Sequence, residues 1–275
     1  MSVAAQVDVV VAPVFGTNCC VVAAPGSGVR DCVVVDAGAG VADGVARVVE
    51  ERRLRPRAVL ATHGHADHTW DAAELCERYD VPMWMHAADV YRLDDPFGTL
   101  VSGAGAAAVS SALGRELAAL GFAPEAYRAP KPVEGFETRG GSADLTFGAV
   151  TLRAVHAPGH TQGSTLYLLD PPGSDGGAAG RGGTGEDART GGRTTTGAEA
   201  DAATPDSAPS GIVLTGDVLF AGSIGRTDLP GGDDATMRAT LSDVVARLDP
   251  GLAVVPGHGP TTTVERELAT NPYLR

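Results

Sequence analysis

The chain has 275 residues, of which 43% are hydrophobic, so it can bury the core of one large domain or two small ones. Its net charge of −13 argues against binding to nucleic acid or to an anionic membrane surface through bulk electrostatics. No run of 18 or more apolar residues is present, which argues against a transmembrane helix. The first residues, MSVAAQVDVVVAP, lack the basic start and clear apolar segment of a signal peptide, and we expect a cytoplasmic protein.

The first half alternates strand-like and helix-like patterns. Clusters of β-branched and other apolar residues between turn residues predict strands at 7–15, 32–36, 57–62 and 81–86. A turn at 25–28 (Pro-Gly-Ser-Gly) separates the first two strands. Helices are predicted at 41–54 and 69–79, and the first of them places Val41, Val45, Val48 and Val49 on one face.

The second half continues this alternation. Residues 95–130 are predicted to form an additional segment that lies over the active-site side of the domain and is not part of its core, with a helix around 109–120. Beyond it, strands are predicted at 143–147, 150–156, 164–170, 212–216 and 252–255, and helices at 234–248 and 263–270. Sheets alternating with helices in both halves predict an α/β architecture with both sheet faces covered. We interpret residues 1–275 as a single domain.

One segment departs from this organisation. Residues 171–211 contain no Val, Ile, Leu, Met, Phe, Trp, Tyr or Cys. A segment with so little to bury cannot offset the entropy lost on ordering, so we predict a disordered insert that joins two adjacent strands.

The cysteines do not form a metal-binding pattern. Cys19, Cys20, Cys32 and Cys76 lack C-x-x-C spacing, which disfavours a thiolate zinc site. Without an export signal, we expect four reduced thiols that behave as small buried apolar side chains.

The strongest chemical signal directly follows the third predicted strand. His63, His65, Asp67 and His68 lie within six residues, in a chain with only seven histidines. In an extended segment, residues two apart point the same way, so His63 and His65 can converge on one ion. Asp67 and His68 then begin the following turn and helix. Imidazole and carboxylate ligands without thiolate suit zinc, iron or manganese and disfavour a purely structural zinc site.

Three later segments have a related form, in which an apolar strand ends in a polar residue beside glycine. They carry His160, Asp217 and His258. Glycine lets the backbone turn sharply and present a ligand at the strand end. Each match is weak alone, but together with the first motif they form a strong pattern.

The order His-x-His-x-Asp-His, His, Asp, His resembles the metal-binding pattern of the metallo-β-lactamase superfamily. The resemblance implies a four-layer αβ/βα sandwich with the metals at one edge of the facing sheets. It further implies that His63, His65 and His160 hold one divalent metal ion, that Asp67, His68 and His258 hold a second, and that Asp217 bridges the two. We expect zinc in both positions, with iron or manganese as alternatives, and we take Asp67, together with a metal-bound hydroxide, as catalytic.

Within the superfamily, the segments 158–164, 216–220, 222–229 and 256–260 resemble single-domain glyoxalase II-like hydrolases. The resemblance implies hydrolysis of a small-molecule S-2-hydroxyacyl thioester, without a glutathione-binding C-terminal domain. The alternative is a persulfide dioxygenase of the same fold, which uses one iron held by two histidines and one aspartate. A third interpretation, a metal-binding or scaffolding protein without activity, leaves the open ligand set without a purpose. The sequence does not predict an oligomeric state.

Four residues remain outside the ligand set. His86 and His156 are interpreted as packed histidines rather than as support for the ligands. Asp36 is either a simple strand-end turn or a carboxylate that orients a ligand histidine, and the sequence favours neither. Arg226 and Asp228 form either a structural ion pair or a substrate contact.

Overall fold

The computed structural model describes residues 6–97, 119, 126–169 and 209–275. Two six-stranded sheets form its centre. The first sheet contains β1 (Gln6–Val11), β2 (Asn18–Ala23), β3 (Arg30–Val35), β4 (Leu54–Leu60), β5 (Met83–His86) and β6 (Val133–Phe136), in that spatial order. The second contains β7 (Ser142–Phe147), β8 (Val150–His156), β9 (Thr165–Leu169), β10 (Gly211–Gly216), then β13 (Leu252–Pro256) and β14 (Thr262–Thr263). A hairpin of β11 (Leu219–Phe220) and β12 (Ser223–Ile224) follows β10.

The described helices are α1 (Ala42–Glu51), α2 (Ala66–Thr69), α3 (Ala72–Tyr79), α4 (Asp234–Asp243) and α5 (Val264–Thr270). All of these except the single-turn helix α2 cover the outer faces of the sheets. Short 3-10 helices lie at Ala87–Leu93, Val245–Arg247 and Pro272–Leu274. Over the described ranges, no helix combines the length and apolar character needed to cross a membrane.

Three apolar clusters define four layers. Val22 and Val33 of the first sheet pack against Leu152 and Tyr167 of the second, which joins the sheets face to face. The other face of the first sheet packs against α1 and α3, where Val45 and Leu75 are fully buried. The outer face of the second sheet packs against α4 and α5. This arrangement confirms the predicted four-layer αβ/βα sandwich.

The strand directions bring several polar side chains to one edge. The neighbouring strands β3, β4 and β5 are parallel, so their carboxyl ends lie together. In the second sheet β10 and β13 are parallel as well. Asn18 joins the two sheets at this edge, because its side-chain amide donates to the carbonyl oxygens of Pro256 and Gly259, both at 2.9 Å.

Several element boundaries differ from the prediction. The strand predicted at 7–15 ends at Val11, because Phe15 has a φ of 62° and Gly16 a φ of 69° in the turn that leads into β2. The helix predicted at 69–79 begins only at Ala72, as α3, and the separate short helix α2 precedes it. The helix predicted at 234–248 ends at Asp243. Strands β2, β6, β11, β12 and β14 were not predicted.

Two predictions fall largely on residues that the structure does not describe. The helix around 109–120 lies outside the described residues apart from position 119, and so does the insert predicted at 171–211 as far as residue 208. At its end the predicted insert is too long, since Gly211 is the first residue of β10.

Candidate metal centre

The seven candidate ligands meet at the shared edge of the two sheets. His63, His65, Asp67 and His68 follow β4 and enter α2, as the sequence predicts. His160, Asp217 and His258 follow β8, β10 and β13 of the opposite sheet. The site is therefore assembled from both halves of the chain.

His63, His65 and His160 form what we call the histidine cluster. Nε2 of His63 and Nε2 of His160 each lie 3.0 Å from Nδ1 of His65. All three side chains are buried, with 1 to 3% of their surface exposed. Two zinc-bound nitrogens in tetrahedral geometry lie about 3.3 Å apart, so the cluster is close to the dimensions of a metal site.

Asp67, His68 and His258 form what we call the mixed cluster. Nε2 of His68 lies 3.1 Å from Nε2 of His258, which is 3.2 Å from Asp67 Oδ2. The longest of the three separations, between His68 Nε2 and Asp67 Oδ2, is 3.8 Å. His68 is fully buried, whereas about a quarter of the His258 side chain is exposed. The mixed cluster is thus the more accessible of the two.

Asp217 lies between the clusters. Its Oδ1 atom is 3.3 Å from Nε2 of His68, and its Oδ2 atom is 3.6 Å from Nε2 of His258 and 3.7 Å from Nε2 of His160. One carboxylate thus reaches imidazoles of both clusters. This is the position that a bridging ligand requires.

The charges of the two clusters differ. Burial, followed by the neighbouring histidines, lowers the pKa of His63 far below its ordinary value, and burial next to His160 lowers the pKa of His65 to about 3. Burial also opposes charge on His68, but Asp36, Asp217 and Asp67 outweigh it and raise the pKa of this imidazole. His63 and His65 therefore offer neutral imidazoles, the form that binds metal ions.

The buried polar atoms of the site fit a bound cation. Nδ1 of His160 donates to the Arg226 carbonyl oxygen at 2.7 Å, which leaves its Nε2 lone pair facing the cluster. Nδ1 of His65 can donate at most one hydrogen bond, yet Nε2 of His63 and Nε2 of His160 both face it. Asp217 Oδ1 is buried and accepts no well-aligned hydrogen bond from the described residues. A cation supplies the partner that these lone pairs lack.

Asp36 supports both clusters. Its Oδ2 atom lies 3.0 Å from Nδ1 of His68, and its carboxylate accepts hydrogen bonds from the backbone N–H and hydroxyl of Thr62. The Thr62 hydroxyl oxygen is in turn 3.1 Å from Nδ1 of His63. Asp36 also adopts a φ of 60°, so both interpretations left open by the sequence apply: it forms the strand-end turn and orients a candidate ligand.

Glycines beside the ligands permit close approach of the chains. A Cβ atom at Gly257 would lie 2.2 Å from Asp217 Oδ1 and 2.8 Å from Cε1 of His68. The sequence suggested that such glycines allow sharp turns, but at Gly257 the stronger requirement is space for the neighbouring ligands.

The remaining polar residues have other roles. His86 and His156 stack with ring centroids 4.2 Å apart and an interplanar angle of 4°, which agrees with their interpretation as packed histidines. Arg226 and Asp228 form an exposed bidentate ion pair with two contacts of 2.6 Å. The four cysteines are buried, as predicted.

Besides the Arg226 carbonyl oxygen bonded to His160, sequence reasoning missed three contributions to the site. The Phe15 carbonyl oxygen accepts a hydrogen bond of 2.9 Å from Nδ1 of His258, and Thr62 connects Asp36 to His63. Asp89 hydrogen-bonds the backbone beside two ligand histidines. A backbone carbonyl has no sequence signal, and Asp89 lies among other acidic residues near the end of β5 with no motif around it.

Comparisons with known proteins agree with this geometry. The family model described as the metallo-beta-lactamase superfamily matches residues 12–170. An uncharacterized protein of Mycobacterium leprae, ML0493, is 33% identical over 83% of this chain and 80% of its own length. The hydroxyacylglutathione hydrolase GloC of Haemophilus influenzae is 24% identical over 82% of this chain and 79% of its own. The crystal structure of TTHA1623 in a di-iron-bound form is 27% identical, with a TM-score of 0.63 over 97% of this chain and 100% of that one.

Proposed function

Because this chain belongs to the metallo-beta-lactamase superfamily and is a metal-dependent hydrolase, we propose that it cleaves small-molecule thioesters of the S-2-hydroxyacyl-thiol type. The observation that carries the proposal is the position of Asp217 between two complete clusters of ligands. The hydroxyacylglutathione hydrolase among the relatives supports the thioester class.

The proposed metal assignment follows the two clusters. His63, His65 and His160 hold one ion, Asp67, His68 and His258 hold the other, and Asp217 contacts both. We propose zinc as the metal, and the di-iron-bound structural relative supports iron as an alternative. Two bound divalent ions would lower the pKa of water towards neutrality and polarise a carbonyl oxygen.

The residues of this chain prepare the site for that chemistry. The carbonyl oxygens of Arg226 and Phe15 accept from Nδ1 of His160 and His258, which directs Nε2 of each ring inwards. Burial opposes charge on Asp67, but His68 and His258 lower its pKa, so its carboxylate is ionised at neutral pH. Asp67 is about one-fifth exposed, and we propose that it accepts a hydrogen bond from the attacking water.

The persulfide dioxygenase alternative is less well supported. That chemistry uses one iron held by two histidines and one aspartate, and it has no need for a second set of ligands. In this chain the mixed cluster is complete, and its ligand atoms lie within 4.8 Å of one another. A complete second cluster favours hydrolysis.

Metal analysis combined with a thioester panel tests the proposal. We expect two metal ions per chain and release of free thiol from S-lactoyl thioesters, detected with a thiol reagent. Absence of thiol release from a protein loaded with two metals would exclude thioester hydrolysis. Oxygen uptake with glutathione persulfide and one iron per chain would instead support the dioxygenase.

The variant Asp217→Ala tests the bridging position. It removes the carboxylate that contacts both clusters, so we expect metal content to fall to one ion or none, with loss of thioesterase activity. The matched control is Asp144→Ala, which removes an exposed carboxylate from β7 and leaves both quantities unchanged. Two metals and full activity in Asp217→Ala would overturn the assignment of Asp217.

A further inference from the structure

We propose that Asp89 is a positioning residue for the histidine cluster, because its buried carboxylate binds both loops that carry the cluster. The inference rests on the proposed metal assignment. Asp89 lies in the 3-10 helix Ala87–Leu93 and has no exposed surface. It does not reach the site itself, and it acts through the loops beside His63, His65 and His160.

The carboxylate of Asp89 accepts four hydrogen bonds. Its Oδ2 atom accepts from the backbone N–H of Gly64 at 2.9 Å and from the hydroxyl of Thr161 at 2.6 Å. Its Oδ1 atom accepts from the backbone N–H of Gly163 at 2.8 Å and from Nε of Arg92 at 3.2 Å. Gly64 separates His63 from His65, and Thr161 directly follows His160. One side chain therefore sets the separation of the two loops.

The two glycines bonded to Asp89 allow this close approach. A Cβ atom at Gly64 would lie 2.8 Å from Cδ of Arg92 and 2.9 Å from the Asp89 carbonyl oxygen. A Cβ atom at Gly163 would lie 2.7 Å from Cβ of Asp89. Contacts this short leave no room for a side chain, so both loops are packed directly onto the helix that carries Asp89.

Arg92 extends the hydrogen-bond network of Asp89. Its guanidinium is fully buried and pairs with Asp89. It also donates through NH2 to the side-chain oxygen of Gln162 at 2.6 Å and to the Pro230 carbonyl oxygen at 2.9 Å. A buried cation requires a buried anion nearby, so removal of the Asp89 charge leaves Arg92 uncompensated as well as releasing the loops.

The bonds of Asp89 predict a selective effect. Over the described ranges they reach Gly64, Thr161 and Gly163, beside the histidine cluster, and none of the segments around Asp217 or His258. Asp67 and His68 of the mixed cluster follow Gly64 on the same segment, but they lie in α2 and none of these bonds reaches them. Loss of these bonds should therefore weaken metal binding by the histidine cluster more strongly than metal binding by the mixed cluster. A merely structural role would weaken both clusters equally or neither.

Two variants perturb the hydrogen-bond network of Asp89 to different degrees. Asp89→Asn keeps the shape of the side chain, but its NH2 group replaces an oxygen that accepts two hydrogen bonds. The NH2 group then faces two donors and cannot accept from either. Thr161→Val removes the hydroxyl bond to Asp89, together with the 2.8 Å hydrogen bond between the hydroxyls of Thr161 and Ser164. It leaves the Asp89–Arg92 pair intact, so it stays informative if Asp89→Asn fails to fold.

Matched controls remove similar bonds elsewhere. Asp31→Asn changes a buried carboxylate that accepts from Arg55 and from the Ala149 N–H, and Asp31 lies at the opposite end of β3 from Asp36. Thr262→Val removes a buried hydroxyl that donates to Glu267 at 2.7 Å.

The test measures zinc affinity in two backgrounds, by competition with a chromophoric chelator. His258→Ala leaves only the histidine cluster complete, and His160→Ala leaves only the mixed cluster complete. We expect Asp89→Asn to weaken zinc binding about 10- to 100-fold in the His258→Ala background and less than about threefold in the His160→Ala background. Thr161→Val should show a smaller shift of the same selectivity, and the two controls should show none.

Equal weakening in both backgrounds, or none in either, would overturn the proposal for Asp89. The proposed function is tested separately, by the two zinc ions expected in the protein without substitutions. If that protein fails to bind two ions, the metal assignment itself is wrong. If it binds two and the Asp89 variants are not selective, only the positioning role is wrong.

Discussion

The space beside Asp217 makes Gly257 a sensitive position. The substitution Gly257→Ala adds one methyl group 2.2 Å from Asp217 Oδ1, whereas ordinary carbon–oxygen contact begins more than 3 Å apart. Gly257 has no positive φ, so alanine introduces no backbone strain of its own. The carboxylate must therefore retreat by roughly 1 Å from its present position between the clusters.

The expected magnitude follows from this displacement. A misplacement of about 1 Å in a catalytic constellation costs roughly 100-fold in rate, equivalent to about 2.7 kcal/mol of activation free energy. Added volume in a packed site also lowers the free energy of unfolding, typically by about 1–3 kcal/mol. We expect kcat/KM for thioester hydrolysis to fall about 100-fold in a protein that remains folded.

Steady-state thiol release, metal content and thermal unfolding together test this expectation. The control is Gly135→Ala in β6, where a Cβ atom would meet Ala87 at 3.3 Å and needs only a small adjustment. The control should retain activity. If Gly257→Ala binds two metals and keeps full activity, the steric argument about Asp217 fails.

Three further predictions concern the residues that support the site and the fold. Asp36→Asn removes the charge beside Nδ1 of His68 and should weaken metal binding about 10- to 100-fold, measured by zinc titration; unchanged affinity would refute its supporting role. Tyr167→Phe removes the hydrogen bond from the tyrosine hydroxyl to the Ala61 carbonyl oxygen and should lower the free energy of unfolding by about 1 kcal/mol in denaturant titrations, with kcat/KM retained; a large loss of activity would contradict this. Burial opposes ionisation of Asp31, but Arg55 and the Ala149 N–H outweigh burial and lower the pKa of this carboxyl. The contribution of Asp31 to the free energy of unfolding should therefore be fully present above about pH 4–5, and it should be lost as the pH falls through the lowered pKa. The stability difference between wild type and Asp31→Asn should shrink in acid, and a difference that grows in acid would show the opposite sign.

The fold was predictable where apolar periodicity is unambiguous. Val41, directly before α1, and Val45 within it are fully buried, as the apolar face of the predicted helix requires. The strands that precede the ligands follow the expected order. Strand β2 was missed because its residues are all buried, so it shows no alternation between two faces. Strand β6 was missed for a different reason, since the glutamate and glycine in VEGF are unfavourable in strands.

The candidate ligands were predictable because strand ends, glycines and histidines coincide in the sequence. The supporting contacts were not, because they depend on which loops meet in three dimensions. Asp36 lies 32 positions before His68, and Asp89 lies 72 before Thr161. Neither pair shares a local pattern, and the closeness of each follows only from the packing of the sheets.

The distribution of the ligands over the two sheets has a consequence for unfolding. The first sheet supplies His63, His65, Asp67 and His68, whereas the second supplies the other three, and His68 and His258 lie 190 positions apart. Under the proposed assignment, each ion binds ligands from both halves of the chain. An unfolded chain does not bring either set of ligands together, so the ions bind the folded state. An ion present at 100 times its dissociation constant then stabilises the folded protein by about 2.7 kcal/mol, so the supply of metal would control the lifetime of the protein as well as its activity.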